Sequence, residues 1–243
     1  IIFDDRSIVI SASIGVTLIP QDGNKSLDLL RNADMAMYSA KNYGKNNYSF
    51  FDQKLQQQAI DKHRIENELV KALKDDELVL HYQPLVELKS KKIVCLEALI
   101  RWQHPEKGLI YPDQFINVAE DSGQIVEIGY WVIKAVCELI NHREKEGCEQ
   151  QTIAINLSPK QFKDPSLLNN IRNIVSEANI DPSLLEIEIT ESSLMTNIAE
   201  ATYVIEQLSA IGIKIAIDDF GTGYSSLAQL KNFPVNKLKI DRS

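Results

Sequence analysis

The sequence predicts an α/β fold: an incomplete barrel of parallel strands wrapped by helices, preceded by part of a smaller α/β domain. Strand-like and helix-like segments alternate from Leu78 onward, which is typical of parallel strands connected by helices. The strands carry polar residues on one face, whereas a strand covered by helices on both sides is apolar on both faces. A closed barrel accounts for this difference, because its polar face lines the lumen. Six strands are visible and a barrel of this type needs about eight, so we expect the sequence to stop before closure.

The N-terminal part predicts half of a small α/β domain, which is too short to close a core by itself. Ser7 to Pro20 predicts a strand, because apolar side chains recur there at every second position. Leu29 to Asn42 predicts a helix with apolar residues at three- and four-residue steps, and Asn46 to Phe51 predicts a closing strand. A polar stretch without glycine or proline follows and predicts a connecting helix. The predicted domains are therefore residues 1–52, the connecting helix 53–74, and residues 75–243.

Two kinds of hydrophobic periodicity predict the elements of the larger domain: apolar residues at every second position indicate strands, and apolar residues at three- and four-residue steps indicate helices. The strands are Leu78 to Val86, Ile93 to Trp102, Thr152 to Leu157, Leu185 to Thr190, Lys214 to Asp218 and Lys237 to Asp241. The helices between them include Val126 to Arg143, Leu167 to Ala178 and Ile198 to Ile211.

The polar faces of these strands place the chemistry-bearing residues together. In the second strand, Glu97 and Arg101 share a face, and the next two strands contribute Asn156 and Glu188. The fifth strand ends in two adjacent carboxylates, Asp218 and Asp219, and the sixth carries Lys239. Because the carboxyl ends of parallel strands meet at one mouth of a barrel, we expect these side chains to lie close together. Glu186 also lies on the polar face, but deeper, and we interpret it as structural.

The composition excludes several classes of function. A formal net charge of -8 argues against a duplex nucleic-acid binder that works through a broad basic surface. Three scattered cysteines fit a reducing compartment, and no apolar run reaches the length of a membrane span. The sequence begins with Ile1 rather than Met and ends just after a strand-like segment, so we expect it to be a piece of a longer protein.

Oxygen ligands at the barrel mouth favour Mg²⁺ or Mn²⁺. The histidines show neither pairing with each other nor spacing with cysteine, so a zinc site on nitrogen and sulfur is not expected. The number of carboxylates would support two ions, which typically activate water and clamp the oxygens of a phosphoryl transfer. Arg101 could hold a phosphate by two parallel hydrogen bonds, and Lys239 could orient or deprotonate the water or stabilise developing charge.

Each residue also has a purely structural interpretation. Glu97 and Arg101 could form an ion pair along one strand, and Asn156 could be a buried amide bonded to the backbone. Lys239 could simply neutralise Asp241 or Glu188. Glu191 could cap the helix that follows it, and the adjacent aspartates, taken alone, could form a solvated turn before a helix that starts near Ser225 and Ser226.

Taken together, the residues resemble the signature of the EAL-domain cyclic di-GMP phosphodiesterases. The likeness runs from about Arg64 to the end of the sequence. It is carried by six ordered motifs: Tyr82-Gln83-Pro84, Glu97-Ala98-Leu99 with Ile100-Arg101-Trp102, Asn156-Leu157-Ser158, Glu188-Ile189-Thr190-Glu191, Asp218 to Ser226, and Leu238-Lys239-Ile240-Asp241. The resemblance implies a TIM-like (β/α) barrel with an antiparallel first strand. It also implies hydrolysis of cyclic di-GMP to linear pGpG in bacterial second-messenger signalling.

The resemblance also assigns roles to the site residues. It implies two Mg²⁺ or Mn²⁺ ions, with the second bound by Asp219. The metal ligands it implies are Glu97, Asn156, Glu188 and Asp218. The remaining roles are water assistance by Lys239, contact with the dinucleotide by Arg101 and Gln83, and support of the loop after the two aspartates by Glu191.

The N-terminal part resembles the end of a GGDEF diguanylate cyclase domain. The likeness is carried by Ser13-Ile14-Gly15-Val16, by Ala33-Asp34-Met35-Ala36-Met37-Tyr38, and by the run from Ala40 to Asn46. In such domains, residues at the positions of Lys41 and Lys45 would approach GTP phosphates. The loop that names the domain lies upstream of this sequence, so cyclase activity is left open.

The sequence departs from the pattern of the EAL family because it stops before the last strands. The family expects a glutamate ligand after the seventh strand and a glutamine near the eighth, so we expect this piece alone to hydrolyse little or no cyclic di-GMP. The alternative function is a catalytically inactive EAL or GGDEF module that binds cyclic di-GMP or GTP as a sensor. The partners we expect are cyclic di-GMP, GTP at the GGDEF part, and a second copy in a homodimer, with neither a nucleic-acid polymer nor a membrane contact in this fragment. The expected location is the cytoplasm, and any membrane anchor would lie in a segment not present here.

Overall fold

A computed structural model describes residues 2–3, 6–7, 11–42, 46–195, 197–221 and 233–241. The chain divides into two compact units, Ile1–Asn67 and Glu68–Ser243. The division falls inside one long helix, because that helix contributes residues to both units. The predicted domain limits of residues 1–52, 53–74 and 75–243 stay predictions.

In its described residues, the N-terminal unit contains short strands and a helix that precede the connecting helix. The strands are β1 (Ile2–Phe3), β2 (Arg6–Ser7), β3 (Ile14–Val16) and β4 (Tyr48–Phe50), and the helix is α1 (Ser26–Asn42). β1 pairs antiparallel with β2, and β3 pairs parallel with β4. The prediction of one strand from Ser7 to Pro20 is wrong, because residues 11–13 are in no strand and β4 offers partners only to Ile14–Val16. Residues 8–10 and Lys45 lie outside the described residues.

A close approach of β3 to α1 explains the glycine of the Ser13-Ile14-Gly15-Val16 motif. A Cβ on Gly15 would lie 1.8 Å from the carbonyl oxygen of Ala33, which is backbone of the helix and cannot yield easily. The helix buries small residues on this side, with Ala36 at 0% and Ala40 at 1% exposure. The small side chains therefore set the distance at which α1 packs on the sheet.

The connecting helix, α2, spans Gln53–Ala72, close to the predicted 53–74. In its last turn, Leu69 and Ala72 are fully buried in the larger unit. The helix is therefore amphipathic only near its C-terminal end, and this is the end that is buried.

The larger unit is built on one sheet of mainly parallel strands. Its strands are β5 (Leu78–Val86), β6 (Ile93–His104), β7 (Gly108–Ile110), β8 (Thr152–Leu157), β9 (Leu185–Thr190), β10 (Lys214–Phe220) and β11 (Lys237–Ile240). The order is β5-β6-β8-β9-β10-β11, with β7 pairing beside β6. β5 runs antiparallel to β6, and the strands from β6 to β11 along this order run parallel. The predicted α/β fold, a TIM-like (β/α) barrel wall with an antiparallel first strand, is confirmed.

Helices connect the parallel strands. They are α3 (Ile116–Ser122), α4 (Ile125–Lys145), α5 (Pro159–Phe162), α6 (Leu167–Ala178), α7 (Glu191–Met195) and α8 (Ile198–Ile211), with 3-10 turns at Pro112–Gln114 and Pro182–Leu184. The predicted bounds of the helices α6 and α8 match. The sequence analysis did not predict β7, α3, α5 or α7, which are too short to show a period of their own.

The core lies between the sheet and its helices. On the outer face of the strands, Ile155, Ile187 and Ile215 are at most 1% exposed. Trp102, at 0% exposure, packs edge-to-face on Phe115 with ring centroids 5.8 Å apart, and its Nε1–H donates to Glu77 at 2.9 Å. The apolar residues of the strands thus face the helices, which leaves the opposite face for the polar residues.

Within the described residues, no helix combines the length and the apolar character needed to cross a membrane.

The cysteines offer a simple test of this packing. Cys148 is exposed, whereas Cys95 and Cys137 are buried, and burial raises the pKa of the Cys137 thiol to about 11. Because the thiolate is the reactive form, we expect a thiol reagent at neutral pH to modify Cys148 first and to leave the other two unmodified until the protein unfolds. Mass spectrometry after timed labelling measures this order, and early modification of Cys137 would contradict the packing of α4.

Candidate active site at the carboxyl ends of the strands

Strand register brings the predicted residues onto one face. Gln83 of β5 lies directly opposite Glu97 of β6, and Asn156 of β8 lies opposite Glu188 of β9. In a sheet, residues directly opposite each other point to the same side. The polar row therefore follows from the period of the strands and from their pairing, without any contribution from loops.

Lys239 lies at the centre of this row. Its Nζ donates to Glu97 at 3.3 Å, to Asp218 at 3.1 Å, and to Glu188. Glu188 is the most enclosed of the three acids, with a side chain at 0% exposure, against 17% for Glu97 and 22% for Asp218. The predicted pairing of Lys239 with Glu188 is therefore present, and Glu97 and Asp218 also bind the same ammonium.

The charges of the cluster do not balance. Three carboxyl groups face one ammonium, which leaves an excess of negative charge. Glu188 also has one oxygen, Oε1, that is buried with no hydrogen-bond partner among the described residues. Burial raises the pKa of Glu188 to about 7, since the hydrogen bond and charge of Lys239 only partly offset the loss of water. Burial opposes the charge of Lys239 as well, but its bond to Glu188 and the surrounding acids raise its pKa, so it is charged at neutral pH.

The arrangement is not that of a ready metal site. Among the described residues, no group of three or more His, Cys, Asp and Glu side chains has such an arrangement. The carboxylates are instead organised around the ammonium of Lys239. The donor set nevertheless fits a hard divalent cation, because it consists of oxygens, carries an excess of negative charge and includes a buried carboxylate oxygen with no partner among the described residues.

Asn156 belongs to the cluster through Glu97. Its Nδ2 donates to Glu97 Oε1 at 3.0 Å, and the residue is exposed rather than buried against backbone. Glu97 forms an ion pair with Lys239, and none of the ion pairs among the described residues joins Glu97 to Arg101. The two structural interpretations considered for these residues, a buried amide and an ion pair along β6, therefore do not describe this site.

The adjacent aspartates have different environments. Asp218 is bonded to Lys239 and also accepts from the backbone N–H of Asp219 at 2.9 Å. Asp219 is exposed, and its backbone adopts a left-handed φ of 54°, which is uncommon for a residue other than glycine. Burial and the neighbouring charge of Asp218 raise the pKa of Asp219. Asp219 therefore lies next to the lysine-centred cluster, on its solvent-exposed side.

Glu191 is positioned to hold the loop that follows β10. It is the first residue of α7, is 2% exposed, and its Oε2 accepts from the backbone N–H of Gly221 at 2.9 Å. A buried carboxylate bonded to a backbone N–H fixes the end of the strand near Asp219. The predicted helix start near Ser225 and Ser226 lies outside the described residues.

A second polar layer lies deeper in the lumen. Lys237 Nζ lies 2.5 Å from Glu186 Oε1, and Lys214 Nζ donates to Thr152 at 2.9 Å. Glu186 is thus paired with a cation of its own. This agrees with the interpretation of Glu186 as a structural residue.

Arg101 has a neighbour that the sequence analysis missed. Its guanidinium carbon lies 5.1 Å from the ring centroid of Tyr111, and its Nη1 donates to the carbonyl of Ile100 at 2.7 Å. Tyr111 follows β7, and only the pairing of β7 with β6 reveals that it lies beside Arg101. A hairpin signal around the turn at Pro105–Lys107 could have indicated this pairing.

Comparisons with protein families match two parts of the chain. Residues 66–243 match the EAL domain. Residues 3–47 match the family described as diguanylate cyclase, GGDEF domain. The N-terminal piece predicted as a GGDEF fragment is therefore confirmed as such.

Two characterised relatives come from Pseudomonas aeruginosa. Cyclic di-GMP phosphodiesterase NbdA is 41% identical over 243 residues, which is 100% of this chain and 31% of that protein. The bifunctional diguanylate cyclase/cyclic di-GMP phosphodiesterase MucR is 45% identical over 237 residues, which is 98% of this chain and 35% of that protein. The chain thus spans about a third of the length of these relatives.

Solved structures show the same fold. The PaMucR phosphodiesterase in complex with c-di-GMP superimposes with a TM-score of 0.71 at 44% identity, covering 74% of this chain and 72% of that one. The EAL enzyme Bd1971, bound to cAMP and cyclic di-GMP, gives a TM-score of 0.70 at 32% identity, covering 91% of this chain and 58% of that one.

Proposed function

The chain belongs to the EAL domain family, and on this premise we propose that it hydrolyses cyclic di-GMP to linear pGpG in a reaction that depends on Mg²⁺ or Mn²⁺. The observation that carries the proposal is the cluster around Lys239, where an excess of negative charge and the unsatisfied oxygen of Glu188 lie at the carboxyl ends of barrel strands. In barrels of this class the active site lies at that end. The names of the NbdA and MucR relatives support the choice of substrate.

The metal ions would be held by the oxygens of the cluster. The first ion would be held by Glu97, Asn156, Glu188 and Asp218, and the second by Asp219. When bound, the ions activate water and stabilise charge on the phosphate. The different environments of Asp218 and Asp219 support their assignment to different ions, because one lies in the cluster and the other next to it.

The chain's own residues bind and orient the reactants. Arg101 holds a phosphate through its N–H groups, and Gln83, exposed opposite Glu97, contacts the dinucleotide. Glu191 supports the loop after Asp219 through Gly221. Lys239 lies among Glu97, Glu188 and Asp218, where its ammonium orients the attacking water and stabilises negative charge.

The product defines which bond breaks. Because pGpG carries a 5′-phosphate and a free 3′-hydroxyl, the oxygen of water forms a bond to phosphorus while the bond from phosphorus to the 3′ oxygen breaks. The leaving 3′ oxygen takes up one proton, and the other proton of the water is released to solvent at neutral pH. The reaction needs no oxidant, reductant or further substrate.

An assay of cyclic di-GMP hydrolysis with the full-length protein tests the proposal. We expect pGpG to form with Mg²⁺ or Mn²⁺ and not in EDTA. Glu97→Ala should lower the rate by at least about 100-fold, because even residues that only support metal ligands commonly contribute 10- to 100-fold. Glu87→Ala is the matched control, since Glu87 is exposed in the β5–β6 turn outside the cluster. Equal rates for the wild type and Glu97→Ala would remove the metal mechanism.

The alternative is a sensor that binds cyclic di-GMP without turnover. The position of Lys239 supports this alternative, because its ammonium already neutralises part of the negative charge that would otherwise attract a metal ion. Tight binding of cyclic di-GMP by the full-length protein without formation of pGpG would identify the sensor. The 243-residue chain alone is measured beside it.

Further partners belong to the same proposal. GTP would bind the GGDEF part near Lys41, which is exposed and whose Nζ lies 5.2 Å from the ring centroid of Tyr38. We also propose a homodimer and a cytoplasmic location. Analytical ultracentrifugation with and without GTP distinguishes the monomer from the dimer, and a calorimetric titration measures GTP binding.

A further inference from the structure

Arg101 and Tyr111 form a pair across two strands. β6 and β7 are antiparallel, and Trp102 lies opposite Ile110. Arg101 precedes Trp102 and Tyr111 follows Ile110, so the same register places Arg101 beside Tyr111. The two side chains share a face, and the guanidinium carbon lies 5.1 Å from the centre of the ring. This face of β6 is the one that also carries Glu97.

The guanidinium is held without a carboxylate. Nη1 donates to the carbonyl of Ile100, and Nε is buried with no hydrogen-bond partner in the described part of the chain. No ion pair among the described residues includes Arg101, although three carboxylates lie in the neighbouring cluster. The charge of Arg101 is therefore not neutralised by an acidic side chain of the described part of the chain.

A ring and a carboxylate hold an arginine in different ways. A carboxylate binds the N–H edge of the guanidinium, which is the same edge that grips a phosphate in two parallel hydrogen bonds. An aromatic ring attracts the face of the cation and leaves that edge available. Tyr111 can thus limit the motion of Arg101 without competing with an anionic ligand.

We propose that Tyr111 is a positioning residue that holds Arg101 in place for a phosphate of the cyclic dinucleotide, an inference that rests on the proposed function. Tyr111 is 51% exposed, so its ring is not needed to fill the core. The ring restricts Arg101 to fewer rotamers before the phosphate binds. Arg101 therefore loses less conformational entropy on binding. Tyr111 acts through Arg101 and does not itself touch the phosphate.

Binding of cyclic di-GMP tests the inference without any turnover. In calorimetric titrations in EDTA, we expect Tyr111→Leu to bind about three- to fivefold more weakly than the wild type, the range typical of an exposed cation–ring contact. Tyr111→Phe keeps the ring and should bind like the wild type. The melting temperature should stay unchanged in both variants, which separates positioning from loss of structure. In the full-length enzyme, Tyr111→Leu should raise KM and leave kcat unchanged.

A double-mutant cycle decides whether Tyr111 acts through Arg101. In an Arg101→Ala background, Tyr111→Leu should have no further effect on the Kd of cyclic di-GMP. An equal loss in both backgrounds would overturn the inference, because it would show a separate contact of the ring with the ligand. Equal binding by the wild type and Tyr111→Leu would overturn it as well. If the wild type neither binds nor hydrolyses cyclic di-GMP, the proposed function itself is wrong.

Discussion

In the Lys239→Met variant, we expect the free energy of unfolding in EDTA to fall by about 3 kcal/mol and to recover when Mn²⁺ is added. Removing the ammonium leaves Glu97, Glu188 and Asp218 facing one another, with Glu188 fully enclosed. Breaking a buried ion pair usually destabilises a protein by about 3 to 5 kcal/mol, and the lower end applies here because Lys239 is partly exposed. A divalent cation replaces the lost charge, and saturation at about 100 times its Kd contributes roughly 2.7 kcal/mol.

Lys237→Met is the matched control for this prediction. Lys237 is a neighbouring lumen lysine and is paired with the single buried acid Glu186 at 2.5 Å. Its removal should also destabilise the protein, but a single carboxylate binds a divalent ion poorly, so Mn²⁺ should not restore stability. Urea unfolding with and without Mn²⁺ measures both variants. Equal recovery of the two, or no recovery of Lys239→Met, would contradict metal binding at the cluster.

The sequence predicted much of the site because strands have an exact period of two and pair in register. Once Glu97, Asn156 and Glu188 are placed on the polar faces of adjacent strands, pairing alone brings them together. The same period predicted the bounds of β5, β8 and β9 as the structure has them. No knowledge of loops was required for these results.

Other features depend on distances that a periodic pattern does not contain. Lys239 was expected near the acids, but its place at their centre depends on how the barrel wall brings β11 close to β6, a separation of 142 residues in the chain. Tyr111 was missed because β7 has only three residues. The strand predicted from Ser7 to Pro20 is wrong because periodicity predicts a face and not the length of the partner strand.

The second large effect concerns the core behind the site: we expect Trp102→Ala to lower the free energy of unfolding by about 3 to 5 kcal/mol. Trp102 is 0% exposed, packs on Phe115 and donates a hydrogen bond to Glu77. Its removal leaves a cavity and an acceptor without its donor. Trp102 and Arg101 are successive residues of β6 and point to opposite faces. The cavity therefore lies on the face of β6 opposite the one that carries Arg101 and Glu97. Binding of cyclic di-GMP should therefore weaken along with stability.

Trp131→Ala provides the matched control, since the chain contains two tryptophans and Trp131 is only half-buried, on α4. The same change of side chain should destabilise the protein less there, because part of the ring is already in water. Each variant keeps one tryptophan, so fluorescence reports urea unfolding in both. Trp102→Phe should recover most of the packing against Phe115 but not the hydrogen bond to Glu77. A Trp102→Ala loss no larger than that of Trp131→Ala would contradict a core that supports the site through Trp102.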